Sequence, residues 1–318
     1  MPRKFLFAVV AALCAMALAP AAAPAAFNVS VGIGDQSTAM FDNANFQALR
    51  VKKVRYFIKW DTIDRPGELA AADAYVNRAR AAGTQVFMHV SSNNLTRRRA
   101  KLPSVATYRR KVKQLINRYR PQGVRTWGPM NEANHDSQPT WKNPRRAAQF
   151  FLAMRSMCKG CTIVALDVLD QRGVDRYIKR FYRALGKRRS LARTVGIHNY
   201  SDTNRYRSTG TRLILRTVKR YNRRAKFWLT ETGGVAKFGS SFKCNARRPA
   251  AAEKRQARAV RYMFKLTKRF RRDIQRLYIY NFTGADCLGR FDAGIVRSNG
   301  TPRPAYREVR RQMRNFKR

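Results

Sequence analysis

Two short stretches each end a strand-like run on a glutamate: "WGPMNEANH" at 127–135 and "WLTETGG" at 228–234. Glu132 and Glu231 are thus candidates for paired-carboxylate chemistry. Such a pair works when one carboxyl is protonated and hands its proton to a departing oxygen. The other stays ionised and attacks the carbon left behind, or activates water against it. Far apart in sequence, the two can cooperate only if the fold brings both strand ends to one place.

The elements that would do so are legible as alternating patterns from residue 28 onward. Strand runs are "NVSVGIG" (28–34), "KVRYFIKW" (53–60), "TQVFMHV" (84–90), "VRTWGPM" (124–130), "CTIVALDV" (161–168), "TVGIHNY" (194–200), "KFWLTET" (226–232) and "RLYIYNF" (276–282). Helical periodicity fills the intervals at about 70–82, 105–119, 144–157, 172–186, 209–223 and 250–271, with a short helix near 42–50 and a last one after Pro304. Eight strands, each followed by a helix, in a chain this long predict α/β architecture as a single (β/α)8 barrel over residues 27–318. A doubly wound nucleotide-binding sheet lacks its glycine fingerprint, since "GIGDQS" after the first strand has no third glycine.

In such a barrel the functional residues stand at the carboxyl ends of the strands. The fourth strand ends in Asn131 and Glu132, the sixth in His198, Asn199 and Tyr200, and the seventh in Glu231. Asp35 ends the first strand, where it could hold a sugar hydroxyl or cap the next helix. Trp60 ends the second and could stack on a sugar face. His89 and His135 read as polar residues at strand and loop edges.

The strand order together with "WGPMNEAN", "HNY" and "WLTETGG" resembles clan A of the retaining (β/α)8 glycoside hydrolases. The resemblance implies Glu132 as acid/base, Glu231 as nucleophile and Asn131 as donor to the sugar hydroxyl beside the scissile bond. His198 and Tyr200 would flank the nucleophile, Tyr200 hydrogen-bonded to it, and Arg55 of "VRYFIKW" would lie close by. Two positions depart from the pattern. Ala133 follows the Asn-Glu where proline is common, and Phe282 occupies the eighth-strand position of an aromatic platform that is commonly tryptophan. Implied is an O-glycosyl hydrolase of a β-linked glycan or glycoside, working by double displacement as a monomer. No metal or organic cofactor is implied.

Charge bounds the partners. Lys and Arg number 67 against 18 acids, a net charge of +49. Such a field favours anionic surfaces and acidic polysaccharides. The basic runs "TRRRAK", "GKRRS", "KRYNRRAK" and "KRFRRDIQR" fall mostly on helices and links, where they form a solvated shell able to hold the protein on an anionic cell surface. No groove-like interleaving with aromatics supports nucleic acid. A catalytically silent carbohydrate-binding barrel, or a cationic binder of cell-wall polymers, would share this composition but has no use for two matched glutamates.

Residues 1–26 read as a secretory signal peptide. A basic start at Arg3 and Lys4 precedes the apolar "FLFAVVAALCAMALA" and a small-residue cleavage region ending near Ala25 or Ala26. The expected destination is extracellular. Four cysteines remain beyond that leader: Cys158, Cys161, Cys244 and Cys287. Their even number suggests two disulfides in an oxidising compartment, with three pairings open.

Overall fold

The computed structural model describes residues 27–239, 250–286 and 289–317. The proposed leader, Cys244 and Cys287 lie outside them. Eight parallel strands follow one another around a ring: β1 (Phe27–Gly34), β2 (Lys53–Lys59), β3 (Gln85–Ser91), β4 (Thr126–Gly128), β5 (Thr162–Leu169), β6 (Thr194–His198), β7 (Lys226–Thr232) and β8 (Ile274–Tyr280). β8 pairs back onto β1, with Gly34 opposite Tyr280, so the sheet closes as a (β/α)8 barrel. A two-residue strand, Phe316–Lys317, adds beside the start of β1.

Helices surround the ring, from α1 (Ala44–Leu49), α2 (Pro66–Ala81), α3 (Val105–Tyr119), α4 (Pro144–Met157) and α5 (Val174–Leu185) to α6 (Tyr200–Asn204), α7 (Thr209–Tyr221), α8 (Ala250–Arg269) and α9 (Pro304–Gln312). Several begin where local chemistry dictates. Pro66, Pro144 and Pro304 occupy the first turns of α2, α4 and α9, where a missing N–H is harmless. The Ser104 hydroxyl accepts from the Thr107 N–H and caps α3.

β4 is much shorter than the run 124–130 that predicts it. Pro129 cannot donate to a ladder, and the chain leaves the sheet there. Gly128 is required at that end, because a Cβ would overlap the His89 ring.

One core lies between strands and helices, and a second, small one fills the barrel floor with Phe87, Val164, Trp228 and Tyr278. Above that floor two irregularities break the simple alternation of faces. On β5 the pairing to β6 shifts between Val164 and Leu166. Val164 can therefore face the barrel axis and Asp167 can face it too, although they differ in parity. On β7 the pairing shifts between Trp228 and Glu231. Thr230 then hydrogen-bonds inward to Asp167 while Glu231 also turns into the mouth. Re-aiming a side chain beside a site is a usual consequence of a bulge.

Cys158 and Cys161 are joined as a disulfide at the end of α4, the self-closing pairing among those the sequence allows.

Candidate active site

Arg55 rises from β2 into the barrel mouth and organises it, only 1% exposed. Its Nη1 donates to Glu231 Oε2 at 2.7 Å and its Nη2 to Asn131 Oδ1 at 2.7 Å. His89 Nδ1 accepts from Arg55 Nε at 3.2 Å and lies 2.9 Å from Nη2. The guanidinium carbon also sits 4.2 Å from the centre of the Phe57 ring. Tyr200, the first residue of α6, donates its hydroxyl to Glu231 Oε1 at 2.9 Å. Both Glu231 oxygens are thus held by donors.

Glu132 stands opposite, on a backbone kink with φ of 42°. That left-handed conformation costs a non-glycine residue roughly 1–3 kcal/mol. It is imposed from both flanks: the Asn131 N–H donates to Val90 O at 2.7 Å, and the Ala133 N–H donates to Asp167 O at 2.8 Å. Ala133 therefore supplies a hydrogen bond that a proline at this position could not make. His198 Nδ1 lies 2.9 Å from Glu132 Oε1 and 3.7 Å from Glu231 Oε2. An oxygen of Glu132 and one of Glu231 fall within 4.8 Å of each other and of a His198 nitrogen.

Beneath these groups lies Asp167, fully buried on β5. Its Oδ2 is 2.8 Å from His198 Nε2, 3.5 Å from His89 Nε2 and 3.7 Å from Arg55 Nη2. Its Oδ1 accepts from the Thr230 hydroxyl. Gly196 makes room for it, since a Cβ there would overlap the carboxylate. Burial alone would raise the Asp167 carboxyl, but the adjoining His198, His89 and Arg55 outweigh it and hold the group well below the usual carboxylate range. His198 responds in kind. Burial disfavours its charge, yet the Asp167 and Glu231 carboxylates lift it to about 10. His89 goes the other way. Burial dominates, so the ring is neutral, with Nδ1 accepting from Arg55 and the proton on Nε2.

These assignments predict a specific spectrum. The chain has three histidines, so 15N NMR can resolve each ring. His198 is expected to stay doubly protonated from pH 6 to 9, and His89 to stay neutral throughout. A His198 ring that deprotonates near pH 6.5 contradicts the network. Because its folded pKa is raised, the stability His198 contributes is complete below about pH 6.5 and is lost as pH rises through about 10.

Glu132, His198 and Glu231 form the one three-member cluster of candidate metal ligands among the described residues. A doubly protonated imidazole has no lone pair to offer, and Glu231 is already matched by Arg55, so the arrangement suits proton handling better than a cation.

Asn131, Glu132, His198, Tyr200, Glu231 and Arg55 are therefore brought together as the sequence predicts. Three other predicted residues are not. Asp35 is 3% exposed and ties two loops, accepting from Ser37 N at 2.8 Å and Thr283 N at 2.6 Å. Both of its oxygens serve the scaffold rather than a sugar hydroxyl. Phe282 is 1% exposed and packs edge-on against Phe46 at 5.6 Å. Trp60 shares the parity of Val54, Tyr56 and Ile58 and is buried with them in the core beneath the helices. Neither ring offers a face to a ligand.

The partly exposed aromatics beside the carboxylates are others: Phe57, Tyr280, Phe291 and Tyr200. Phe57 and Tyr280 lie 5.7 Å apart, Tyr280 and Phe291 6.4 Å, and Phe291 and Tyr200 5.5 Å. They form an arc around the Glu231 side. Phe291 sits on a two-residue strand that pairs with Lys237–Phe238 after β7. The roles of His89 and Asp167 also escape a reading of residue types. Each is a lone polar residue inside an apolar strand, a signal that a buried partner must exist.

The sequence matches no family model and no curated protein. Solved structures do match in three dimensions. A psychrophilic glycoside hydrolase family 10 endo-β-1,4-xylanase aligns with a TM-score of 0.63 at 16% identity, covering 89% of this chain and 96% of that one. A xylanase from Paenibacillus barcinonensis, solved with a conduramine derivative, gives 0.62 at 15%, covering 91% and 99%. A glucosidase from Croceicoccus marinus gives 0.64 at 14%, covering 91% and 67%. At these identities the shared property is the fold: this chain is a single (β/α)8 barrel distantly similar in structure to family 10 xylanases.

Proposed function

We propose that the chain is an exported retaining glycoside hydrolase acting on a β-linked glycan or glycoside. The observation that carries this reading is the short gap between Glu132 and Glu231, with oxygens within 4.8 Å. A retaining pair stands at about 5 Å, whereas an inverting pair needs a wider gap to admit water. The surroundings of the two carboxyls support unequal roles. Glu231 is gripped through one oxygen by Arg55 and through the other by the Tyr200 hydroxyl, which fix it for attack. Glu132 is held through Oε1 by His198 Nδ1, which leaves Oε2 as the oxygen that meets the departing group.

In the first step Glu231 forms a bond to the anomeric carbon as the bond to the departing oxygen breaks, and Glu132 gives that oxygen its proton. In the second, Glu132 takes a proton from water as the water oxygen displaces Glu231. Asn131 accepts Arg55 through Oδ1, which leaves its amide N–H groups to bind a sugar hydroxyl. The aromatic arc supplies apolar faces for the ring held over Glu231.

A panel of 4-nitrophenyl β-glycosides followed by 1H NMR tests this directly. The β-anomer of the released sugar is expected to appear first and mutarotate later. Appearance of the α-anomer first, or no turnover of any aryl glycoside or β-linked polymer, overturns the proposal and favours a carbohydrate-binding barrel.

A further inference from the structure

The loops after β3 and β4 form one ridge that starts at Glu132. Successive turns carry it: the His135 N–H donates to Glu132 O, the Gln138 N–H to His135 O, and the Trp141 N–H to Gln138 O. Gln138 fastens the ridge to the loop after β3, its Oε1 accepting from Ser92 N at 3.1 Å and the Ser91 hydroxyl at 3.4 Å. On this frame Trp141 is partly exposed and carries two cations against its ring, Arg97 at 4.4 Å and Lys142 at 4.5 Å from the centroid. Arg98 and Arg99 are exposed beside them.

Unpaired cations are common in this chain, with 67 Lys and Arg against 18 acids; those of the ridge differ in lying on the segment that leaves Glu132 and on the loop fastened to it. Acids are scarce in this chain, and elsewhere on the surface they are consumed in ion pairs, as in Lys59–Glu68, Arg118–Asp73 and Lys179–Asp175. The segment 92–104 contains no acid, and 133–143 contains only Asp136, which lies against His135. Among the described residues none of Arg97, Arg98, Arg99 and Lys142 has an ion-pair partner. Cations seated on an aromatic ring are partly desolvated and already ordered, so an anion that meets them loses less entropy than at a free side chain. A guanidinium fork also matches a carboxylate.

We propose that this ridge is a subsite for a uronic-acid unit on the leaving-group side of the scissile bond. The assignment rests on the hydrolase reading, because Glu132 must face the departing sugar if it protonates that oxygen. The ridge continues from there. The aromatic arc, on the Glu231 side, holds the other sugar.

Binding is measured by calorimetry with a β-1,4-mannuronate hexamer and a hyaluronan hexamer, each against its carboxyl-reduced counterpart. The protein is the full chain carrying Glu132→Gln, which stops proton delivery and leaves the ridge intact. At least one acidic oligomer is expected to bind about tenfold more tightly than its neutral form. That advantage should vanish in the triple variant R97S/R98S/K142S. It should survive K187S/R188S/R189S, a control with equal charge loss on the link between α5 and β6 at the opposite end of the barrel. Equal affinity for acidic and neutral oligomers, no binding by either acidic oligomer, or equal loss in the control overturns the subsite. Turnover of small aryl glycosides by the parent protein is read separately. If it is present while the acidic preference is absent, the hydrolase stands without the subsite. If it is absent while the preference is present, the ridge binds acidic glycans and the hydrolase reading fails.

Discussion

Replacement of Glu231 by alanine is expected to lower turnover of an activated aryl β-glycoside at least about 10^4-fold, the scale of losing a covalent nucleophile. Azide should then restore part of the activity and yield an α-glycosyl azide. The small anion enters the space left by the side chain and attacks from the same side, without a second displacement. Arg55 makes this rescue plausible on physical grounds, since its Nη1, now without the carboxylate it holds at 2.7 Å, offers a cationic donor to the incoming anion. Steady-state kinetics with product identification by NMR checks both parts. Unchanged turnover in Glu231→Ala ends the double-displacement mechanism. A product azide of β configuration would place the nucleophile elsewhere.

Asp167→Asn is expected to do damage of a different kind. Asp167 is fully buried beneath the mouth. It is a positioning residue, whose charge allows a buried Arg55 and a protonated His198 to coexist under two glutamates. Removing one partner from a buried ionic cluster typically costs roughly 3–5 kcal/mol, because the cations left behind stay desolvated. In a domain of this size that corresponds to a fall in Tm of about 10 °C. The substitution should also lower the His198 pKa from about 10, so the alkaline limb of the kcat/KM profile moves to lower pH. A purely structural defect would reduce activity evenly across pH. Calorimetric melting together with the pH profile separates the two, and an unchanged Tm with an unchanged alkaline limb sinks the network.

The helices at 105–119 and 144–157 are found at the positions their periodicity predicts, and β7 spans the predicted 226–232. The reason is that these segments are simple. Each has one apolar face, a regular period and a clear stop, so local pattern and global burial agree. Agreement fails where backbone irregularity or a neighbour intervenes. The fourth strand is cut short by Pro129. The aromatic expected at the end of β8 is Phe282 by position, but that ring turns away into the core against Phe46. Tyr280 takes the place beside the carboxylates, in company with Phe291 from a segment the periodicity does not mark as a strand.

By itself, then, the sequence determined the order and closure of eight strand–helix units and the standing of Asn131, Glu132, His198, Tyr200 and Glu231 at strand ends. These follow from period, composition and chain position, which are local properties. The tertiary structure decided which of the remaining polar and aromatic residues share the mouth with them. Register shifts on β5 and β7 turn Asp167, Thr230 and Glu231 inward together, against any strict alternation. Hydrogen bonds donated by Asn131 and Ala133 to carbonyls of the strands on either side hold Glu132 in its left-handed kink. Such choices depend on which neighbour a backbone meets across the barrel, and residue order alone does not encode that contact.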